Sequence, residues 1–434
     1  MIRLFPPDKM EAHFELPISK SMFNRALVIA CQTQGRIVAK TKHLPEDCRV
    51  MMNYLQACGF AFQVDDGVWT ISSHLKSGQH IQADLAMAGT AMRFLTSLAC
   101  ILPLNSEFTG AARLGERPYL PLAMAMNQAG ASILCHSDIQ VFPIKVTGNP
   151  DWQPGNITLS QIRSSQMVSA VLLLGPHFNL GTSLFVSKDF PLSEPYIKMT
   201  LDMLEQQGMH WTRIPNGYQL HSKKPRNSDI IVEPDWSAVS YILGMLLLKG
   251  GEVSIQGLKP DSCQGDAAQL SFFRQLGLHV EFYSDGLKAS SSGRTFSGFQ
   301  FDFSDMPDQA QTFAVLAALA HSPSRLTGLE SLTLKETDRI TALEFELRKL
   351  NAQVTRIPGG LEIVPGILPE HAEIKTYQDH RMAMAFSMAA TQIPGIRIQA
   401  PEVVDKSFPH FWQELSQAGF RFEYPMDTYS SNLL

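Results

Sequence analysis

At intervals along its 434 residues the chain sets lysine or arginine beside small hydroxylated residues, often with a carboxylate one or two positions away. The segments are Ser19-Lys20-Ser21-Met22-Phe23-Asn24-Arg25, Ala88-Gly89-Thr90-Ala91-Met92-Arg93, Gly115-Glu116-Arg117-Pro118, Arg163-Ser164-Ser165-Gln166 and Leu192-Ser193-Glu194-Pro195-Tyr196. Lys335-Glu336-Thr337-Asp338-Arg339, Asp379-His380-Arg381 and Lys406-Ser407-Phe408-Pro409 continue the series. Cations in this company suit phosphate and carboxylate ligands, arginine through paired hydrogen bonds and lysine as a compact charge. Interleaved carboxylates such as Glu336 add the means to move a proton.

The net charge of the whole chain is −5, from 36 Lys and Arg against 41 Asp and Glu. A general nucleic-acid or anionic-membrane binder is normally basic, so neither partner is expected. Anions must be held by local clusters.

Each cluster falls where a helix is expected to begin. Helix N-termini already favour anions through unsatisfied N–H groups and the macrodipole. A cation there is unfavourable by a few tenths to about 1 kcal/mol, so repeated cations make sense if a negative ligand fills the place. Taken singly, each group has a plainer reading. Ser164, Ser165 and Ser193 serve as N-caps, Asp338-Arg339 as an exposed helix start, His380 as a structural histidine, and Met382, Met384 and Met388 as a core stripe. Recurrence at equivalent ends of repeated units shifts the balance toward a shared ligand site.

Those units are the main feature of the chain's organisation. Six times, a helix of small and apolar residues leads through a turn into a short β-rich strand: 21–34 with 36–39, 89–102 with 106–109, 165–178 with 182–186, 237–249 with 252–255, 308–321 with 325–327, and 380–393 with 396–398. Second helices at 45–58, 118–129, 194–207, 265–276 and 409–418 stop at Gly59, Gly130, Gly208, Gly277 and Gly419, and that at 337–350 stops at Asn351. Glycine and asparagine tolerate the left-handed conformation that closes a helix. A further strand follows each stop. The result is an α/β protein, and its length calls for at least two cores. Three units per domain fit, with a boundary near 222–228 and domains of 1–18 plus 229–434 and of 19–228. The strand at 12–16 precedes the first unit and is a candidate to pair with the second half.

Six scattered cysteines show no CxxC pair and read as reduced core thiols rather than disulfides or a zinc site. The first residues carry neither the apolar run of a secretory signal nor an organelle leader, and no apolar stretch reaches about 18 residues. A cytoplasmic location is expected.

Taken together and in order, these segments resemble the 5-enolpyruvylshikimate-3-phosphate synthase family, the 3-phosphoshikimate 1-carboxyvinyltransferases. Leu16-Pro17-Ile18, Pro195-Tyr196-Ile197, Gln264-Gly265-Asp266 and Pro307-Asp308 extend the match, so it covers nearly the whole chain. The resemblance implies two similar domains of three βαβαββ units each, an inside-out α/β barrel arrangement with the active site in the cleft between them. It implies transfer of the enolpyruvyl group of phosphoenolpyruvate to the 5-hydroxyl of shikimate 3-phosphate, with no metal or organic cofactor, by a monomer. Carried over by motif, Lys20, Gly89, Arg117, Gln166, Arg339, Arg381 and Lys406 would bind phosphoenolpyruvate. Lys20, Ser21, Arg25, Ser164, Ser165, Gln166, Ser193, Tyr196, Asp308 and Lys335 would bind shikimate 3-phosphate. Asp308 and Glu336 would form the acid–base pair, assisted by Lys20 and Lys406.

The chain departs from the family pattern at Met87 for asparagine, Gly115 and Glu194 for basic residues, Ser331 for asparagine and Thr333 for arginine. These changes leave open lower affinity, compensation by a residue such as Arg163, a different acceptor such as a UDP-sugar, or a non-catalytic anion-binding homologue.

Overall fold

A computed structural model of the chain describes residues 1–39, 44–137, 139–178, 181–187, 190–221, 226 and 228–424. Among the described residues there are six four-stranded sheets. In the second unit His80–Asp84 runs parallel to Asn105–Thr109 with the helix Gly89–Ala99 between them. The helix Leu120–Gln128 follows, and Ser132–Leu134 with Ile144–Thr147 closes the sheet as an antiparallel pair. The fourth strand inserts beside the second, which gives the spatial order first, second, fourth, third. Units three and five repeat this βαβαββ plan, with sheets that begin at Asn156–Leu159 and Gln300–Asp302.

The other three sheets are completed by strands distant in sequence. Met10–Phe14 lies parallel to Gly251–Gln256 and supplies the first strand of unit four, so the early strand does pair with the second half, two residues ahead of its expected position. Ile2–Phe5 sits between Ile396–Ile398 and Arg421–Glu423 in unit six. Ile230–Ile231 lies parallel to Ile37–Val38 and supplies the first strand of unit one.

Buried apolar side chains form two cores. One gathers residues from Ile18 to Val232, the other residues from Ile2 to Leu16 and from Trp236 to Phe420. The expected boundary stretch 222–228 lies largely outside the described residues. Ile230 and Val232 are buried in the first core, and Ile18 forms a bridge with Pro234 where the two chain crossings lie side by side. The two-residue strand at 230–231, just past the expected 228/229 junction, pairs with unit one.

The first helix of each unit is apolar on nearly all sides, as a central helix must be. Trp236–Lys249 is buried from Trp236 through Leu248. Lys20–Thr33, Gly89–Ala99 and Ser165–Leu172 pack together in one half; Trp236–Lys249, Ala310–Ala318 and His380–Ser387 do so in the other. Among the described residues no helix is long and apolar enough to cross a membrane. Cys31, Cys48, Cys58, Cys100 and Cys263 are free thiols.

The stop residues behave as their chemistry requires: Gly59, Gly130, Gly208, Gly277, Asn351 and Gly419 all have positive φ. Gly59 and Gly277 share a φ of 102° but differ in surroundings. A Cβ on Gly59 would lie 2.7 Å from the carbonyl oxygen of His74, whereas one on Gly277 would meet nothing within 4 Å. Gly277→Ala should therefore cost only the left-handed conformation, about 1–2 kcal/mol, and Gly59→Ala clearly more. Thermal unfolding of the two variants checks this; equal midpoints would contradict it.

Candidate active site

The starts of five central helices meet at one cavity between the two halves, Lys20, Gly89 and Ser165 from one side and Ser237 and His380 from the other, together with Pro307 in the 3-10 turn Pro307–Gln309 that leads into the sixth. Hydrogen bonds join its walls across the gap. Ser193 Oγ donates to the Asp305 carbonyl at 2.8 Å, Arg113 Nη2 to the Thr333 and Lys335 carbonyls at 3.1 and 3.3 Å, and Lys406 Nζ to the Met87 carbonyl at 2.9 Å.

The walls carry eight cations, Lys20, Arg25, Arg93, Arg117, Arg163, Lys335, Arg339 and Arg381, against five carboxylates, Asp47, Asp235, Asp308, Glu330 and Glu336. Among the described residues several of the buried cations are paired with carboxylates, whereas Arg25 and Arg93 are held by hydroxyl, amide and carbonyl oxygens. Arg339, 1% exposed, donates from Nη1 to Asp308 at 2.9 Å, from Nη2 to Glu336 at 3.0 Å, and from Nε to Asp379 at 2.7 Å. Arg381 Nη2 reaches the other oxygen of Asp308 at 3.0 Å, and Lys335 Nζ joins at 3.2 Å. Glu336 Oε1 faces Lys406 at 3.3 Å and Arg117 at 3.7 Å. Lys20 pairs with Asp47 at 3.1 Å.

These neighbours set the protonation states. Burial pushes the Asp308 carboxyl up, but Arg381, Lys335 and Arg339 outweigh it and hold it well below the usual range. Burial likewise opposes ionisation of Glu336, and Lys406, Arg117 and Arg339 overcome it. Burial alone would lower Lys20; Asp47 and Glu336 leave it raised. Lys335 is lowered, because burial wins over the attraction of Asp308. His380 is held well below its usual value by burial, then by Lys20 and Arg381, so it is neutral at physiological pH. Its two ring nitrogens have no hydrogen-bond partner among the described residues.

Close packing positions the rest. A Cβ on Gly89 would lie 2.6 Å from Nη1 of Arg117, so only glycine lets the guanidinium lie against that helix start. Arg93 Nη1 donates to the Gly89 carbonyl at 2.8 Å and to Gln166 Oε1 at 3.0 Å, and its Nη2 donates to the Pro118 carbonyl. Gln166 Nε2 in turn donates to Thr90 Oγ1 at 3.1 Å. Tyr196 Oη lies 3.1 Å from Asp266 and 3.4 Å from Asp308, and spans the two halves.

A cleft of this kind can bind two polyanions at once and move a proton between ionised carboxylates and ammonium groups. The family model described as EPSP synthase (3-phosphoshikimate 1-carboxyvinyltransferase) matches residues 5–415. The chain belongs to the EPSP synthase family. Among curated relatives, the 3-phosphoshikimate 1-carboxyvinyltransferase of Bacteroides fragilis is 35% identical over 96% of this chain and 97% of its own. That of Hamiltonella defensa is 33% identical over 96% and 98%. An EPSP synthase structure from Acinetobacter baumannii superimposes with a TM-score of 0.77, covering 98% of this chain and 99% of that one at 23% identity. The enolpyruvyl transferase NikO from Streptomyces tendae does so at 0.73, covering 97% and 98% at 16% identity.

Of the EPSP synthase residues carried over by motif, Lys20, Ser21, Arg25, Gly89, Arg117, Ser164, Ser165, Gln166, Ser193, Tyr196, Asp308, Lys335, Glu336, Arg339 and Arg381 all line the cavity. Lys406 stands behind Glu336 rather than on the lining. Arg25 is largely engaged by the protein, donating to Thr200 Oγ1, the Ser21 carbonyl, Ser169 Oγ and the Tyr196 carbonyl. His380, read alone as structural, lines the cavity.

Motif reading quoted Asp379 and Arg93 within their segments without giving them a role and did not name Asp47; all three act on the other site residues. Asp379 could have been found from its place ahead of His380-Arg381, where it caps the helix by accepting from the Arg381 amide at 2.9 Å. Asp47 has no such signal, since it meets Lys20 only through the fold.

Acidification should expose this electrostatic design. Asp308 and Glu336 titrate below their ordinary values of 3.8 and 4.5 in the folded chain, so the unfolded chain binds protons first. Their stabilising contribution is complete above those ordinary values and lost as pH falls through the folded ones. The unfolding midpoint of the wild type should drop steeply below about pH 4.5, and that of Asp308→Asn less steeply. Parallel curves would contradict the pairing.

Proposed function

We propose that this chain transfers the enolpyruvyl group of phosphoenolpyruvate to the 5-hydroxyl of shikimate 3-phosphate and releases inorganic phosphate, a step toward chorismate and the aromatic amino acids. The observation that supports it most is the convergence of Arg117, Arg339 and Lys406 on Glu336 and of Lys335, Arg339 and Arg381 on Asp308, which brings a cation of one half of the chain, Arg117, more than 200 residues away, into the charge cluster of the other.

Phosphoenolpyruvate carries a phosphate and a carboxylate, and both demand the bidentate geometry that Arg117, Arg339 and Arg381 offer. Lys20 and Lys406 complete that grip, with Gly89 and Gln166 at its wall. Shikimate 3-phosphate lies against Ser21, Ser164, Ser165, Gln166, Ser193 and Tyr196, with its charge met by Lys20 and Lys335. Four of the five N–H groups of Arg25 are already engaged, so it serves mainly to hold the Ser21 and Tyr196 backbone and has one N–H left for the ligand.

The 5-hydroxyl oxygen bonds to C2 of the enol as its proton passes to a base and C3 gains a proton. The tetrahedral adduct then breaks its C2–O bond to phosphate, and a proton leaves C3 to restore the double bond. Asp308, ionised and beside the shikimate wall, accepts the hydroxyl proton. Glu336 works at C3, assisted by Lys20 and Lys406. Without ligands Glu336 is ionised, and an incoming phosphate shares Arg117, Arg339 and Lys406 with it. The loss of those partners' full attraction raises its proton affinity, which lets it carry the proton. The contacts across the cleft keep water from competing.

Arg163 stands exposed on the wall beside Ser164, and no hydrogen bond or ion pair engages it among the described residues. It is the cation available to offset the substitutions at Gly115, Ser331 and Thr333.

Purified protein should release phosphate from phosphoenolpyruvate with shikimate 3-phosphate and not with a UDP-sugar acceptor. Lys20→Ala and Glu336→Ala should each lower kcat at least about tenfold while the fold survives. Release with neither acceptor, or unchanged turnover in either variant, would refute the assignment. The two walls should also separate in kinetics. Gly89→Ala, which must displace Arg117, should raise KM for phosphoenolpyruvate about tenfold, and Arg163→Ala should raise KM for shikimate 3-phosphate, each leaving the other KM within about twofold.

A further inference from the structure

Tyr377 and Gln378, immediately before Asp379-His380-Arg381, are two consecutive residues with left-handed backbone, at φ of 55° and 57°. Neither is glycine or asparagine, so each carries a cost of about 1–2 kcal/mol that the surroundings must offset. The turn is closed by the Asp379 amide donating to the Thr376 carbonyl at 2.9 Å, and one side chain holds it from outside. Glu346, 1% exposed, accepts from the Tyr377 hydroxyl at 2.7 Å through Oε1 and from the Lys375 amide at 3.0 Å through Oε2. It thus grips the segment ahead of the strained pair and within it. Lys349 Nζ donates to the same Oε2 at 2.7 Å.

Glu346 belongs to the helix Arg339–Arg348, whose first residue is Arg339. The turn that Glu346 holds delivers Asp379, which is fully buried, caps the helix His380–Ser387 and receives Arg339 Nε at 2.7 Å. The contacts form a closed circuit: Arg339 along its helix to Glu346, Glu346 to the strained turn, the turn to Asp379, and Asp379 back to Arg339. Arg381 is fixed in the same circuit, because its amide donates to Asp379. Two guanidinium groups that open helices of different units are therefore indexed to one carboxylate some distance from the cavity; neither Glu346 nor Tyr377 lines it.

We infer that Glu346 and Tyr377 are positioning residues for phosphoenolpyruvate. They keep the backbone at 377–378 in its strained form so that Asp379 aligns Arg339 and Arg381 on the same ligand. The inference rests on the functional reading above, but its core claim concerns the turn and is measurable without turnover.

Two measurements on the full chain test it. Amide hydrogen exchange over residues 376–383 should accelerate at least about tenfold in Tyr377→Phe, which loses the bond from its hydroxyl to Glu346, and in Glu346→Ala, which loses that bond and the one from the Lys375 amide. In steady-state kinetics, KM for phosphoenolpyruvate should rise about fivefold to tenfold in Tyr377→Phe while KM for shikimate 3-phosphate stays within about twofold. Glu346→Gln, which keeps an acceptor for the Lys375 amide and a polar partner for Tyr377, should recover most of the loss seen in Glu346→Ala. Unchanged exchange in Tyr377→Phe overturns the inference, as does a lowered melting temperature with both KM values unmoved or raised in parallel. If the wild type transfers no enolpyruvyl group, the functional reading fails, and exchange alone still decides whether Glu346 and Tyr377 hold the turn.

Discussion

Like charges crowded at the ends of buried helices repel one another, and this repulsion is the constraint to which the rest of the molecule answers. Five central helices and the turn leading into a sixth open on one cavity, and eight of the groups around it are cations. A buried guanidinium left unpaired is expensive. The carboxylates of Asp47, Asp308, Glu336 and Asp379 are therefore structural necessities as well as chemical ones. They hold Lys20, Arg117, Arg339, Arg381 and Lys406 in place before any anion arrives.

The same pairs give the site its response to ligands. Ion pairs inside a protein are finely balanced between attraction and desolvation, so an incoming phosphate can replace a carboxylate partner without a large net change in free energy. What changes is the protonation preference of the displaced carboxylate. Glu336 is held ionised by three cations, and in the proposed reaction it would regain affinity for a proton once a second anion shares them. In the proposed reaction, binding and proton movement would thus be linked through the same guanidinium groups. Because those groups come from both halves of the chain, the linkage also depends on the halves meeting.

The departures from the family pattern show how little of that meeting relies on particular side chains. Met87 still serves, since Lys406 binds its backbone carbonyl. Thr333 likewise offers a carbonyl, to Arg113. At Gly115 the side chain of Gln140 fills the vacated space, with Oε1 only 1.4 Å from where a Cβ would stand. Glu194 sits in the first turn of its helix, where a negative charge is favourable, and is paired with Arg213 at 3.5 Å.

Local chemistry made much of this legible in the sequence. Six helices ended where Gly or Asn could turn left-handed, because that conformation depends on a single residue, and the ordered motifs carried the cations of both walls. Strand order was another matter. Ile2–Phe5 and Ile230–Ile231 are too short to declare themselves, and each joins a sheet whose other strands are remote in the chain. The partners of the cations were equally hidden. Nothing near Lys20 announces Asp47, and nothing near Arg339 announces Asp379 forty residues on. Sequence determines which charges a segment brings and how its helix starts and stops, since those follow from neighbouring residues. Only the packing of the two cores decides which charges share a space of low polarity, and there proton affinities are set by distance rather than by order along the chain.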